Sequence, residues 1–145
     1  MRGVLRARPE LGDKLQQTRD AMDRAVADCL VTRYESIVSS LSLPDPDDRH
    51  VLAAAIMGRA DVIVTVNLKD FPSITLSAYN IEAQHPDAFI RHVLDLDPTV
   101  ALSAVREHRA SLKRPPKTVD EYLDTLARQG LPGTVTFLRP WATLI

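Results

Sequence analysis

The sequence predicts an α/β fold: a small layered unit of helix and strand, followed by a helical C-terminal region. Three observations carry this prediction. First, Leu43–Phe71 (LPDPDDRHVLAAAIMGRADVIVTVNLKDF) runs from an acidic turn through an alanine-rich helix ending near Gly58. It continues into Ala60–Val66, which has the composition of a buried strand, and then into a polar loop with Asn67, Lys69 and Asp70. Second, Asn80–His85 alternates enough for a further short strand. Third, from Asp87 onward the apolar spacing is that of helices. Helix, strand and polar tip make half of an α/β layer.

Taken in order, residues 1–12 are basic and partly apolar, broken by Pro9 and Gly12. Arg2, Arg6 and Arg8 read as a solvated chain end, with a small phosphate-facing patch as the alternative. Residues 13–28 read as an amphipathic helix with Leu15, Met22, Ala25 and Val26 near one face. Asp20, Asp23 and Asp28 are mixed there with Arg19 and Arg24, as on an exposed face. Cys29–Tyr34 favours β structure and predicts an outer strand; Glu35–Leu43 predicts a short helix. Ile74–Tyr79 reads as a short helix or turn. The C-terminal region predicts helices over Ala88–Leu96, Pro98–Leu112 and Val119–Gln129. Pro98 suits a first turn, Thr118 with Glu121 is a capping pair, and Gly130 is a stop. Val135–Ile145 is apolar, with Phe137, Leu138, Trp141 and Leu144, and reads as core closure or a dimer contact.

The composition narrows the function. A formal net charge of −1 does not suit tight non-specific binding to polyanions, although Arg106, Arg109, Lys113, Arg114 and Lys117 could form a local RNA-guiding cluster. A solvated helix end is the other reading of that cluster. The single cysteine, Cys29, cannot form an intrachain disulfide and fits a reducing compartment. No stretch approaches the roughly 20 apolar residues of a membrane span, and residues 1–30 do not read as a signal peptide. These observations predict a cytoplasmic location. Phosphate-cradling glycine motifs and zinc-type Cys/His sets are absent from the sequence.

The candidate site lies in the central stretch. Asp45 suits an N-cap, Pro46 the first helical position, and Asp48 the third. On a 3.6-residue period, Asp48 shares a face with Val51, Leu52, Ala55 and Ile56, so it should point toward the strand tips. Asp47, about 100° away around the helix, should face solvent. Asp70 and Asn67 follow the next strand, at the carboxyl end where open α/β sheets bind ligands. Two converging carboxylates suit a hard divalent cation. Singly, Asp48 is a cap, Asn67 a turn residue and Asp70 a loop cap. His50 should face away from Asp48, and neither it nor His85 is expected to bind metal.

The stretch DPDDRHVLAAAIMGRADVIVTVNLKDFP resembles the C-terminal half of a PIN domain, the nuclease fold of VapC-type toxins in toxin–antitoxin pairs. The matching positions are Asp48 before the apolar-alanine helix, then Thr65, Asn67, Asp70 and Phe71; the resemblance runs from about Leu43 to Pro86. It implies a three-layer fold with a short parallel sheet and an endoribonuclease using Mg²⁺ or Mn²⁺. Catalytic roles would fall to Asp48, Asp70 and Asn67, with Asp48 and Asp70 as metal ligands. Asn67 stands where many relatives have Asp. The tail resembles the helical extension of one group of VapC-like proteins, placing a partial PIN-like domain at 1–86 and the extension at 87–145. The implied partners are an RNA substrate, an antitoxin protein and a second copy of the chain.

In the family, an Asp closes a hydrophobic N-terminal strand and a Glu follows on an early helix. The opening MRGVLRARPELGDKLQQ matches neither and resembles the sequence just after that helix. The expectation is an incomplete sheet without its first strand. The rival reading is therefore a catalytically inactive remnant that binds or self-associates; a late recorded start would restore ordinary activity.

Overall fold

The computed structural model describes residues 12–26 and 29–145. The patch of Arg2, Arg6 and Arg8, and Asp28, lie outside the described residues. Helix α1 (Gly12–Ala25) and the short α2 (Glu35–Val38) precede the central unit. That unit consists of a 3₁₀ turn at Pro46–Asp48, α3 (Arg49–Met57), β1 (Val62–Val64), a 3₁₀ turn at Leu68–Asp70, α4 (Ser73–Leu76), a 3₁₀ turn at Ser77–Tyr79 and β2 (Glu82–Gln84). Helices α5 (Pro86–Leu96), α6 (Pro98–Ser111), α7 (Val119–Arg128) and α8 (Pro132–Leu138) follow.

The expected α/β character is present. β1 and β2 pair in parallel, with Val62 opposite Glu82, Ile63 opposite Ala83 and Val64 opposite Gln84. Amide bonds from Glu82 to Asp61 and from Thr65 to Gln84 extend the ladder. Because side chains alternate across a sheet, Ile63 and Ala83 share the covered face. There Ile63 meets Leu52 and Ala53 of α3 together with Phe71, Leu76 and Ile81 in one apolar core. Val51, Ala55 and Ile56 pack at its edge, so α3 covers the face its sequence period predicts, and fully buried Ala53 widens that face beyond the predicted stripe. The opposite sheet face is open: Val64 is 43 % exposed, and Val66 just beyond β1 is 74 % exposed.

Cys29–Tyr34 corrects the sequence reading, because it forms no strand. Arg33 takes a left-handed backbone conformation (φ 65°), which breaks an extended chain, and Leu30 is largely exposed. Among the described residues no strand lies beside it, and β propensity without a partner does not make a strand. Helix α1 forms as expected, but Met22 and Val26 on its apolar stripe are exposed.

The C-terminal helices enclose a second core of Leu94, Leu102, Tyr122, Leu123, Val135, Leu138 and Ile145. Local capping sets their boundaries. Asp97 Oδ1 accepts from the amides of Thr99 and Val100 ahead of α6. Thr118 and Glu121 form a reciprocal capping box on α7, and Gly130 takes the left-handed conformation (φ 82°) after it. Helix α8, which sequence periodicity does not mark, is capped from afar. The Asp87 carboxylate accepts from Gly133 N, Thr134 N and Thr134 Oγ, each at 2.7 Å. A Cβ on Gly133 would lie 2.9 Å from Asp87 Oδ2, so this approach requires glycine. Val135, Leu138 and Ile145 close the core with Phe137 at its edge, whereas Trp141 and Leu144, which the sequence also offered for closure or a dimer contact, are exposed.

Candidate active site

The acidic turn before α3 divides two jobs between two aspartates. Asp45 has extended backbone geometry, and its carboxylate accepts from Asp47 N at 2.8 Å, so it caps the 3₁₀ turn that Pro46 begins. Asp48 occupies the N-cap position of α3, yet its side chain makes no capping hydrogen bond. Its carboxylate is therefore available for other work. Asp47 is exposed, as expected.

Across from this turn, β1 delivers the loop bearing Asn67 and Asp70. Asn67 N donates to Thr65 Oγ1 at 3.1 Å, which tightens the chain as it leaves the strand. Asn67 Nδ2 donates to Asp70 Oδ2 and fixes that carboxylate. Asp45, Asp48 and Asp70 then meet, with a carboxylate oxygen from each lying within 4.8 Å of the others. The structure thus brings together Asp48 and Asp70 and places Asn67 beside Asp70. It also adds Asp45, which the sequence marks only as a cap. The available signal was its spacing: in a 3₁₀ turn, residues three apart eclipse one another.

The electrostatics agree with this geometry. Burial first, and then the neighbouring charges of Asp45 and Asp70, push the Asp48 carboxyl above its ordinary range. Asp47 adds to this effect, whereas His50 opposes it. His50 sits with Nδ1 on the Asp47 carbonyl oxygen, close enough for its charge to reach Asp48 even though it is outside the carboxylate group. His85 has a structural role: it precedes α5 and its Nδ1 accepts from Asp87 N at 3.2 Å.

Comparison with known proteins gives this geometry a family. A PIN domain model matches residues 2–69, and a VapC50 C-terminal domain model matches residues 86–140. The protein named "Putative ribonuclease VapC50" from Mycobacterium tuberculosis is 34 % identical over 121 residues, covering 83 % of this chain and 71 % of that protein. The chain belongs to the VapC-like group of the PIN-domain family. No solved structure matches it significantly. The PIN match begins far ahead of Leu43, where the motif resemblance starts, so PIN similarity extends through the basic opening as well.

PIN-domain nucleases generally use a divalent metal, and the donor set here fits one. Three oxygen donors converge, and after burial the neighbouring charges of Asp45 and Asp70 help to raise the Asp48 carboxyl. A hard cation coordinated by oxygens at about 2.0–2.6 Å relieves that repulsion. Asp48 and Asp70 would hold it, with Asp45 on the exposed side. Asn67 contributes an amide where a carboxylate would add charge, and here it orients Asp70. Among the described residues, no helix is long and apolar enough to cross a membrane.

Proposed function

We propose that this protein is a metal-dependent endoribonuclease that cleaves RNA phosphodiester bonds as the toxin of a toxin–antitoxin pair. The supporting observation is that Asp48, although at a helix N-cap, leaves its carboxylate uncapped and turned into a cluster with Asp45 and Asp70. Asp48 and Asp70 bind Mg²⁺ or Mn²⁺. Asn67 holds Asp70 in position, and Asp45 restrains the turn that presents Asp48. The bound cation supplies Lewis acidity toward water and neutralises charge on the phosphoryl group. Exposed Lys69, next to Asp70 in the chain, would meet a phosphate oxygen of the bound RNA.

The same reading divides the chain into a PIN-like part at 1–86 and a helical extension at 87–145, and places the protein in the cytoplasm. It also calls for partners. The open sheet face at Val64 and Val66, and the stripe of Met22 and Val26 on α1, expose apolar surface suited to an antitoxin segment or to a second copy of the chain.

The test is cleavage of a single-stranded RNA by the purified chain with Mn²⁺, with EDTA, and by Asp48→Ala. Product formation that disappears in both controls supports the proposal. Cleavage that persists in Asp48→Ala, or its absence from folded wild-type protein with Mn²⁺, overturns it.

A further inference from the structure

The basic segment of the helical region was left without a role by the candidate site. Between Pro98 and Thr118 the chain carries five cations, Arg106, Arg109, Lys113, Arg114 and Lys117, against one carboxylate, Glu107. The whole chain has a formal net charge of −1, so positive charge is concentrated here. The structure separates the members of this cluster. Arg109 is committed to the fold, because its Nη1 donates to the Lys117 carbonyl at 2.8 Å and ties the loop after α6 to the helix. Arg106 is exposed and lines a groove.

That groove, of about 420 Å³, runs between α6 and the C-terminal segment. Pro98, Leu102 and Leu144 form apolar walls, Trp141 supplies an aromatic face, Ser103 a hydroxyl and Arg106 a cation. Trp141 is the single tryptophan of the chain and is 42 % exposed. Glu107 stands one helical turn from Ser103 and accepts its hydroxyl at 3.4 Å, which occupies the local carboxylate. An aromatic face beside a cation, with hydroxyls nearby, is the chemistry that holds single-stranded nucleic acid: bases stack on the ring while the phosphate meets the cation.

We infer that this groove is a docking site for single-stranded RNA, separate from the acidic cluster. An unpaired base stacks on Trp141, and its phosphate pairs with Arg106. The neighbouring backbone runs toward Lys113 and Arg114, which are exposed. Charge complementarity with Arg106 calls for an anion, and the exposed Trp141 ring beside it favours a nucleotide, whose base can stack there, over an acidic or apolar peptide segment. The inference rests on the RNA-directed reading above and names how that substrate is held by the extension.

The test uses the full chain in EDTA, so that no cleavage can occur, and reads Trp141 fluorescence during titration with a short single-stranded RNA. Saturable quenching is expected. With labelled RNA and anisotropy, Trp141→Leu should weaken binding about tenfold, the lower part of the range for losing one stacked base. Arg106→Gln, at an exposed position, should reduce the slope of log affinity against log salt by about 0.7, as expected for one lost phosphate contact on a single strand. Both variants should melt close to wild type. Absence of quenching overturns the inference, as does wild-type affinity and salt slope in Arg106→Gln. Equal binding of double-stranded RNA also overturns it, and so does quenching produced by self-association or peptide instead of RNA. Because no metal is present, failure here is distinct from failure of cleavage at Asp48.

Discussion

Replacing Asp87 should loosen the C-terminal helical unit by an amount the structure lets one work out. Its carboxylate serves three donors on α8, and one of the residues supplying them, Thr134, is only 3 % exposed. Asp87→Ala strands the Thr134 amide and hydroxyl, at about 1–3 kcal/mol for each buried unsatisfied donor, while water can reach Gly133. The expected loss is about 2–4 kcal/mol, or roughly 5–12 °C in melting temperature for a chain of this length. Asp87→Asn keeps one acceptor oxygen for Thr134 but sets its amide donor against the Gly133 N–H, and should lose about 1–3 kcal/mol. Gly133→Ala brings a methyl group to 2.9 Å from Asp87 Oδ2 and should also cost about 1–2 kcal/mol. Thermal unfolding by circular dichroism measures all three, and hydrogen exchange at Gly133 and Thr134 localises the effect.

The pH dependence has a definite sign. Burial alone would raise the Asp87 carboxyl, but hydrogen bonds from the Thr134 amide and hydroxyl and the Gly133 amide outweigh it and hold it below its ordinary value of 3.8. The stabilisation is therefore complete above that ordinary value. It is lost as pH falls through the lower folded value. Asp87→Asn should remove this part of the acid sensitivity. An Asp87→Ala variant that melts with wild type and keeps Thr134 protected would show that Asp87 does not hold α8.

Other outcomes follow from the site and the caps. The Asp48 carboxyl is raised, so its ionised form is disfavoured in the folded chain, and stability falls as pH rises through its folded value. Metal-free Asp48→Asn should accordingly melt above metal-free wild type at neutral pH, read by differential scanning fluorimetry. Asn67→Asp adds a carboxylate beside Asp70 and should tighten Mn²⁺ binding several-fold in a calorimetric titration; Asn67→Ala, which frees Asp70, should weaken it. Thr118→Ala breaks the α7 capping box and should cost about 1 kcal/mol, visible as a drop of roughly 2–4 °C in melting temperature.

What could be read from the sequence was what local chemistry decides. Pro98, the Thr118–Glu121 pair and Gly130 mark helix ends through contacts within a few residues, and the structure places those ends accordingly. The face of α3 that packs on the sheet followed from the spacing of Val51, Leu52, Ala55 and Ile56. Features set by distant partners were not legible. Helix α8 begins with Pro132 and Gly133 and contains β-branched residues, and its cap, Asp87, lies 46 residues away. Cys29–Tyr34 has β-favouring residues, but among the described residues it has no strand partner, and the positive φ of Arg33 ends any extended run. At the site, Asp48, Asp70 and Asn67 were visible as residue types at telling positions. Asp45 was hidden because capping explained it fully, whereas the tight turn makes it both a cap and a member of the carboxylate group.

Whether the three aspartates form a cation site is read from Mn²⁺ binding to the metal-free chain, followed by the change in melting temperature and by paramagnetic broadening of backbone amides. If Asp45, Asp48 and Asp70 form one cation centre, Mn²⁺ at about a hundred times its dissociation constant should stabilise wild type by roughly 2.7 kcal/mol. Broadening should centre on the turn at residues 45–48 and the loop at 67–70, and Asp48→Asn should lose most of both effects. Equal stabilisation of Asp48→Asn, or broadening centred elsewhere in the chain, would mean that these aspartates hold no cation.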